Sequence, residues 1–96
     1  MECKEIIFSQ HAVQRMFERG IQTTDIKIVI ESGEIIADYP NDLPFPGYLV
    51  LGWVKKEKPF HLVIAIGANQ QKCYVITGYI PDPMIWHSDF KTKRSP

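Results

Sequence analysis

Apolar and polar positions follow two rhythms along this chain, and the change falls near residue 33. Over 9–21, S-Q-H-A-V-Q-R-M-F-E-R-G-I, residues Ala12, Val13, Met16 and Phe17 fall at i, i+1, i+4 and i+5, the stripe of one short amphipathic helix. Ser9 is placed to cap it, since its hydroxyl can accept from the amide of residue 11 or 12, and Gly20 ends it as a residue able to take positive φ. A second helix follows almost at once. Thr23 or Thr24 caps it, Asp25 favours its first turn, Ile26, Val29 and Ile30 form its buried stripe, and Gly33 stops it.

Beyond Gly33 the period shortens to two. Glu34–Tyr39, Tyr48–Val54, Pro59–Ile66 and Lys72–Ile80 read as strands. The charged turn Lys55–Lys58 and the turn G-A-N-Q-Q at 67–71 separate the last three. The segment P-N-D-L-P-F-P-G at 40–47 carries three prolines and is an exposed, semi-rigid loop. Glu5–Phe8 is either a brief strand or a lead-in beside the first helix. The expected fold is α+β in the order ααββββ, two N-terminal helices packed on one face of a four-stranded antiparallel sheet. Its core should hold Ala12, Val13, Met16, Phe17, Ile26, Val29, Ile30, Leu62, Ile64 and Ile76. Residues 1–90 form the single domain; P-D-P-M-I-W-H at 81–87 pins Trp86 on the body, and 91–96 is a basic flexible tail.

Composition adds bounds. Ninety-six residues leave no room for a second core, and no apolar run approaches the ~20 residues of a membrane span. The start, Met-Glu-Cys-Lys-Glu, lacks an apolar signal segment. Cys3 and Cys73 lie 70 positions apart without a metal or disulfide pattern, so a reduced cytoplasmic setting is expected, with Cys73 a small core residue. Net charge is zero but split: residues 1–48 carry −4 and residues 49–96 carry +4. A protein that held duplex DNA mainly by charge would be more basic, but a local anion site is compatible with this balance.

Two groups of polar residues carry the candidate chemistry. His11, Arg15 and Arg19 recur every four residues, a column on the flank of the first helix. Arginines at i, i+4 repel by a few tenths of a kcal/mol unless an anion sits against them. Alternation then places His61, Thr77 and Tyr79 in a polar-aromatic patch on one sheet face. The plain alternatives are a half-exposed sheet histidine and arginines paired with Glu18, Asp38 or Asp42. If the two groups converge, they suit cleavage of an RNA phosphodiester. Histidines would act as base for the ribose 2′-OH and acid for the leaving oxygen, and arginine forks would hold the phosphorane. Which histidine plays which part stays open. No metal or other cofactor is expected, because three scattered histidines give no zinc spacing.

The runs I-I-F-S-Q-H-A-V-Q-R-M-F-E-R-G-I, G-E-I-I-A-D-Y-P, Y-L-V-L-G-W-V, P-F-H-L-V-I-A and Y-V-I-T-G-Y-I-P-D-P-M-I-W resemble the uncharacterised bacterial family catalogued as domain of unknown function 4258. The resemblance spans residues 6–90. It implies kinship with RelE-like RNase toxins, which are small α+β domains, and a partner resembling an antitoxin with a zinc finger and a helix-turn-helix. By position it singles out His11, Arg15, Arg19 and His61 as the family's polar set, without assigning roles. Two functions follow as expectations. One is a metal-independent toxin-type endoribonuclease cutting single-stranded RNA, with His11 and His61 catalytic and Arg15, Arg19, Tyr79 and Thr77 holding RNA. The other is a non-catalytic module whose arginine column and aromatic patch hold a protein or nucleic-acid partner. A third reading, a small-molecule or peptide binder, would use loop 40–47 as a lid.

Overall fold

The computed structural model describes residues 3–42, 45–54, 58–67 and 72–95. Leu43 and Pro44 of the proline-rich loop, Lys55–Glu57 of the charged turn and residues 68–71 of the Gly/Asn turn lie outside the described residues. The elements are β1 (Glu5–Phe8), α1 (Gln10–Glu18), α2 (Thr23–Ser32), β2 (Glu34–Tyr39), β3 (Gly47–Val54), β4 (Lys58–Ile66) and β5 (Lys72–Tyr79).

Ser9 caps α1 as its position predicts, the Ala12 amide donating to Ser9 Oγ at 2.9 Å. Gly20 takes φ +67°, and the Ile21 amide reaches back to the Met16 carbonyl at 2.9 Å, closing the helix in a Schellman-type turn with Ile21 buried. At α2 the cap differs from expectation. Thr23 is the first helical residue, Gln22 precedes it, and Asp25 Oδ2 accepts from the Gln22 amide at 3.2 Å.

The sheet corrects the expected fold. It has five strands in the order β1-β5-β4-β3-β2, and β1 pairs parallel to β5 while the other pairs are antiparallel. From β1 at one edge the chain crosses one face through both helices, and meanders back until β5 meets β1. That return gives β5 the direction of β1, so the lead-in becomes a parallel edge strand. Cys3 and Cys73, expected to be unpaired, are joined by a disulfide beside this pairing, and Cys73 is fully buried.

Helix α1 packs on β5 and α2 on β3. Between helices and sheet lie Ala12, Met16, Ile26, Val29, Ile30, Leu62 and Ile64. Three expected core residues are not in it: Val13 is 51%, Phe17 87% and Ile76 44% exposed. Helix α1 sits near the sheet edge, so only the Ala12–Met16 row meets the sheet; Val13 and Phe17, ~100° further round, do not. Ile76 is displaced by a bulge, because Val63 pairs Thr77 but Ile64 pairs Val75, leaving Ile76 without a partner opposite. Alternation therefore changes phase there, and Gly78 and Val75 share the helix face.

The opposite face is covered by the C-terminal segment. Its chain doubles back through a Trp86–Lys93 bridge, with the Arg94 amide on the Ile85 carbonyl at 2.8 Å and the His87 amide on the Thr92 carbonyl at 2.9 Å. Trp86 is buried, as expected. Lys91, placed by the sequence in a flexible tail, forms an ion pair with Glu34 on β2 at 2.9 Å. We call residues 81–94 the strap.

Candidate functional site

The predicted site residues divide between the two faces of the sheet. On the helix side His11 is exposed in the first turn of α1, and Arg15 is half exposed, 3.4 Å from Glu18. Arg19 reaches furthest in, donating from Nη1 to the Gly78 carbonyl at the end of β5. That bond anchors a guanidinium whose planar fork has further donors to offer.

Arg19 lines an open cavity of about 390 Å³ together with Ile21, Asp25, Val54, Lys58, Pro59, Phe60 and Ile80. Two cations and one carboxylate thus stand around an apolar floor. The cavity draws on both helices and on the β3–β4 and β5 ends, which local periodicity cannot bring together. The signal for Lys58 was its place in the lysine-rich turn; Asp25 and Ile80 had none.

On the other face Leu51, His61 and Tyr79 form one cross-strand row. His61 is fully buried. Its Nε2 lies 2.8 Å from the Phe90 carbonyl and its Nδ1 lies 3.2 Å from the Tyr79 hydroxyl. A carbonyl only accepts, so the proton sits on Nε2 and Tyr79 donates to Nδ1. The indole of Trp86 stands edge-on at 4.6 Å, and Phe90 meets Trp53 edge-on at 5.8 Å. Phe90 adopts φ +54°, which costs roughly 1–2 kcal/mol in a side-chain-bearing residue; the hydrogen bond it directs at His61 offsets part of that. Burial lowers the His61 pKa, with the Phe90 carbonyl pulling the other way, and burial followed by the nearby Tyr39 raises that of Tyr79. Thr77 shares this face, half-buried beside Val63.

The structure therefore brings His61 together with Tyr79, but it separates His11 from His61 by the thickness of the sheet. Among the described residues no three His, Cys, Asp or Glu side chains are grouped to hold a metal ion. None of their helices is long and apolar enough to cross a membrane.

These features define an α+β domain on a five-stranded mixed sheet, with a cationic cavity on the helix side and a strapped histidine on the other. The chain belongs to the family described as Domain of unknown function (DUF4258), which matches residues 8–80. No curated protein and no solved structure matches it. The strap and Cys3 both lie outside the matched span.

Proposed function

We propose that this domain is a binding module that holds single-stranded RNA on its helix side without cutting it. The observation that carries the reading is Arg19, fixed to the Gly78 carbonyl and lining a cavity it shares with Lys58. An anchored guanidinium loses little freedom when a phosphate arrives, and a neighbouring ammonium adds charge. Phe17, 87% exposed on the same helix, offers a face on which a base can stack. RNA, rather than another polyanion, is the ligand the toxin-like resemblance suggests. The placement of the histidines supports holding over cutting. His61 has both ring nitrogens engaged beneath the strap, and His11 lies across the sheet from it.

Fluorescence anisotropy of a labelled single-stranded RNA, titrated at several salt concentrations with EDTA present, tests this. With two phosphates neutralised, log Kobs should fall with log salt at a slope of about −1.4. Arg19→Ala should remove about half of that slope, and Phe17→Ala should weaken binding with the slope retained. Absence of binding at low salt would refute the proposal. RNA cleavage in EDTA that is lost in His11→Ala would favour the endoribonuclease instead.

A further inference from the structure

We infer that the Cys3–Cys73 pair is a thiol–disulfide exchange site for small anionic thiols, and that its state decides whether the edge strand β1 is held on the sheet. The inference stands on placement. Cys73 lies in β5, opposite Ile6 of β1 on one side and Ile66 of β4 on the other, and is fully buried. Cys3 is only partly buried. It lines an open cavity of about 520 Å³ with Lys4, Glu5, Ile6, Phe8, Thr23 and Lys27. One sulfur of the bond is thus approachable from a cavity, and the other is enclosed by the sheet.

The cavity has a charge preference. Two lysines, Lys4 and Lys27, line it with one acidic residue, Glu5. A thiol carrying net negative charge is drawn to such a site, and its thiolate, the attacking form, is favoured there. The exchange balances as follows. A thiolate attacks Cys3 Sγ, the Cys3–Cys73 bond breaks, and Cys73 leaves as a thiolate that takes up a proton. A second thiolate then attacks the mixed disulfide at the sulfur of the first, releasing the oxidised small thiol and Cys3 as a thiolate that is protonated in turn. Two electrons pass from two small thiols to the protein, and the oxidised small thiol reverses the reaction.

The structural consequence falls on β1. It has four residues, it pairs only with β5, and it stands at the sheet edge. In the order β1-β5-β4-β3-β2 the β3–β4 pair lies beyond β5 and takes no backbone pairing from β1, so opening the bond frees the edge without dissolving the core. Helix α1 begins directly after β1, and the Ser9 amide between them bonds the Val75 carbonyl of β5 at 3.4 Å. Loosening β1 therefore loosens the entry to α1.

The test uses the full chain, oxidised or treated with millimolar reduced glutathione at neutral pH, with 2-mercaptoethanol as the uncharged comparison. Glutathione should make both cysteines alkylatable by iodoacetamide while far-UV circular dichroism is retained. The β1 amides that pair with β5 should then exchange at least about tenfold faster, with those of β3 unchanged. Relative to its rate on a neutral peptide disulfide, glutathione should outpace 2-mercaptoethanol, and Lys4→Gln with Lys27→Gln should abolish that advantage. Cys3→Ser should show the exchange pattern of the reduced wild type; if it does not fold, the wild-type pair of measurements decides alone. The inference is overturned if the bond opens only in denaturant, if β1 exchange does not respond to its opening, or if the charge preference survives loss of both lysines.

Discussion

Replacing His61 by alanine separates two views of this residue more sharply than any other substitution. As a proton-transfer group outside the core, its loss would leave the fold intact. In the structure it is fully buried, with Nε2 donating to the Phe90 carbonyl at 2.8 Å and Nδ1 accepting from Tyr79 at 3.2 Å. Each such bond contributes about 0.5–1.5 kcal/mol net. The edge-on contact with Trp86 at 4.6 Å is worth about 0.5–1.5 kcal/mol more. The sum places the cost of His61→Ala at about 1.5–4.5 kcal/mol, toward the upper end because the Phe90 carbonyl is then left under the strap without its donor. Urea unfolding should show a lower midpoint with an unchanged m value. His11→Ala, at an exposed position of α1, is the control and should stay within about 0.5 kcal/mol of wild type. A His61→Ala protein as stable as the His11→Ala protein would refute this reasoning, because the strap would then owe nothing to the histidine.

The same burial sets a pH dependence. The folded-state pKa of His61 is lowered, so as pH falls the unfolded chain takes up the proton first. Its stabilising contribution is complete above the unfolded value of about 6.5 and declines as pH falls from there toward the lowered folded value; urea midpoints between pH 7.5 and 5 should follow this, with a flatter profile in His61→Ala. Met16→Ala should cost about 2–5 kcal/mol and Phe17→Ala less than about 0.5, since the first is 3% and the second 87% exposed; equal costs would show that α1 is rotated on the sheet. Gly52→Ala should destabilise by about 1–3 kcal/mol, because a Cβ there would stand 2.6–2.8 Å from the Val29 side chain, and a neutral result in thermal melts would place α2 further from β3.

The local rules reached as far as local contacts do. Ser9 and Gly20 declare the two ends of α1 because capping and positive φ are decided within a few residues. The four strands after Gly33 follow from alternation, and their antiparallel pairing follows from short connections. What failed was non-local or broke the period. The pairing of Ile6 with Cys73 joins parts of the chain more than sixty residues apart, and no turn signal announces it. The disulfide went unseen for the same reason, since Cys3 and Cys73 become neighbours only once β1 is a strand. One bulge at Ile76 was enough to shift the strand's phase and misplace that residue.

The candidate site shows the same boundary from the side of function. Arg19 and Lys58 were each visible as cations, one in a helical column and one in a lysine-rich turn, but their meeting at one cavity depends on where β3, β4 and β5 end. His61 and Tyr79 were correctly placed on one face, because they are cross-strand partners. Alternation could not foresee that the chain would return to cover that face. The strap does so through Phe90, whose carbonyl completes His61 and whose ring meets Trp53, and through Trp86. A histidine with one accepting and one donating partner is satisfied as a neutral ring, and a satisfied neutral ring holds a strap well but has no free nitrogen for a substrate. For His61 to act on RNA the strap would have to leave, taking the 2.8 Å bond and the Trp86 contact with it. The cationic cavity requires no such rearrangement, because Arg19 is already anchored in its lining. That difference in what each site must give up is the physical reason for proposing the helix side, rather than the strapped side, as the binding face.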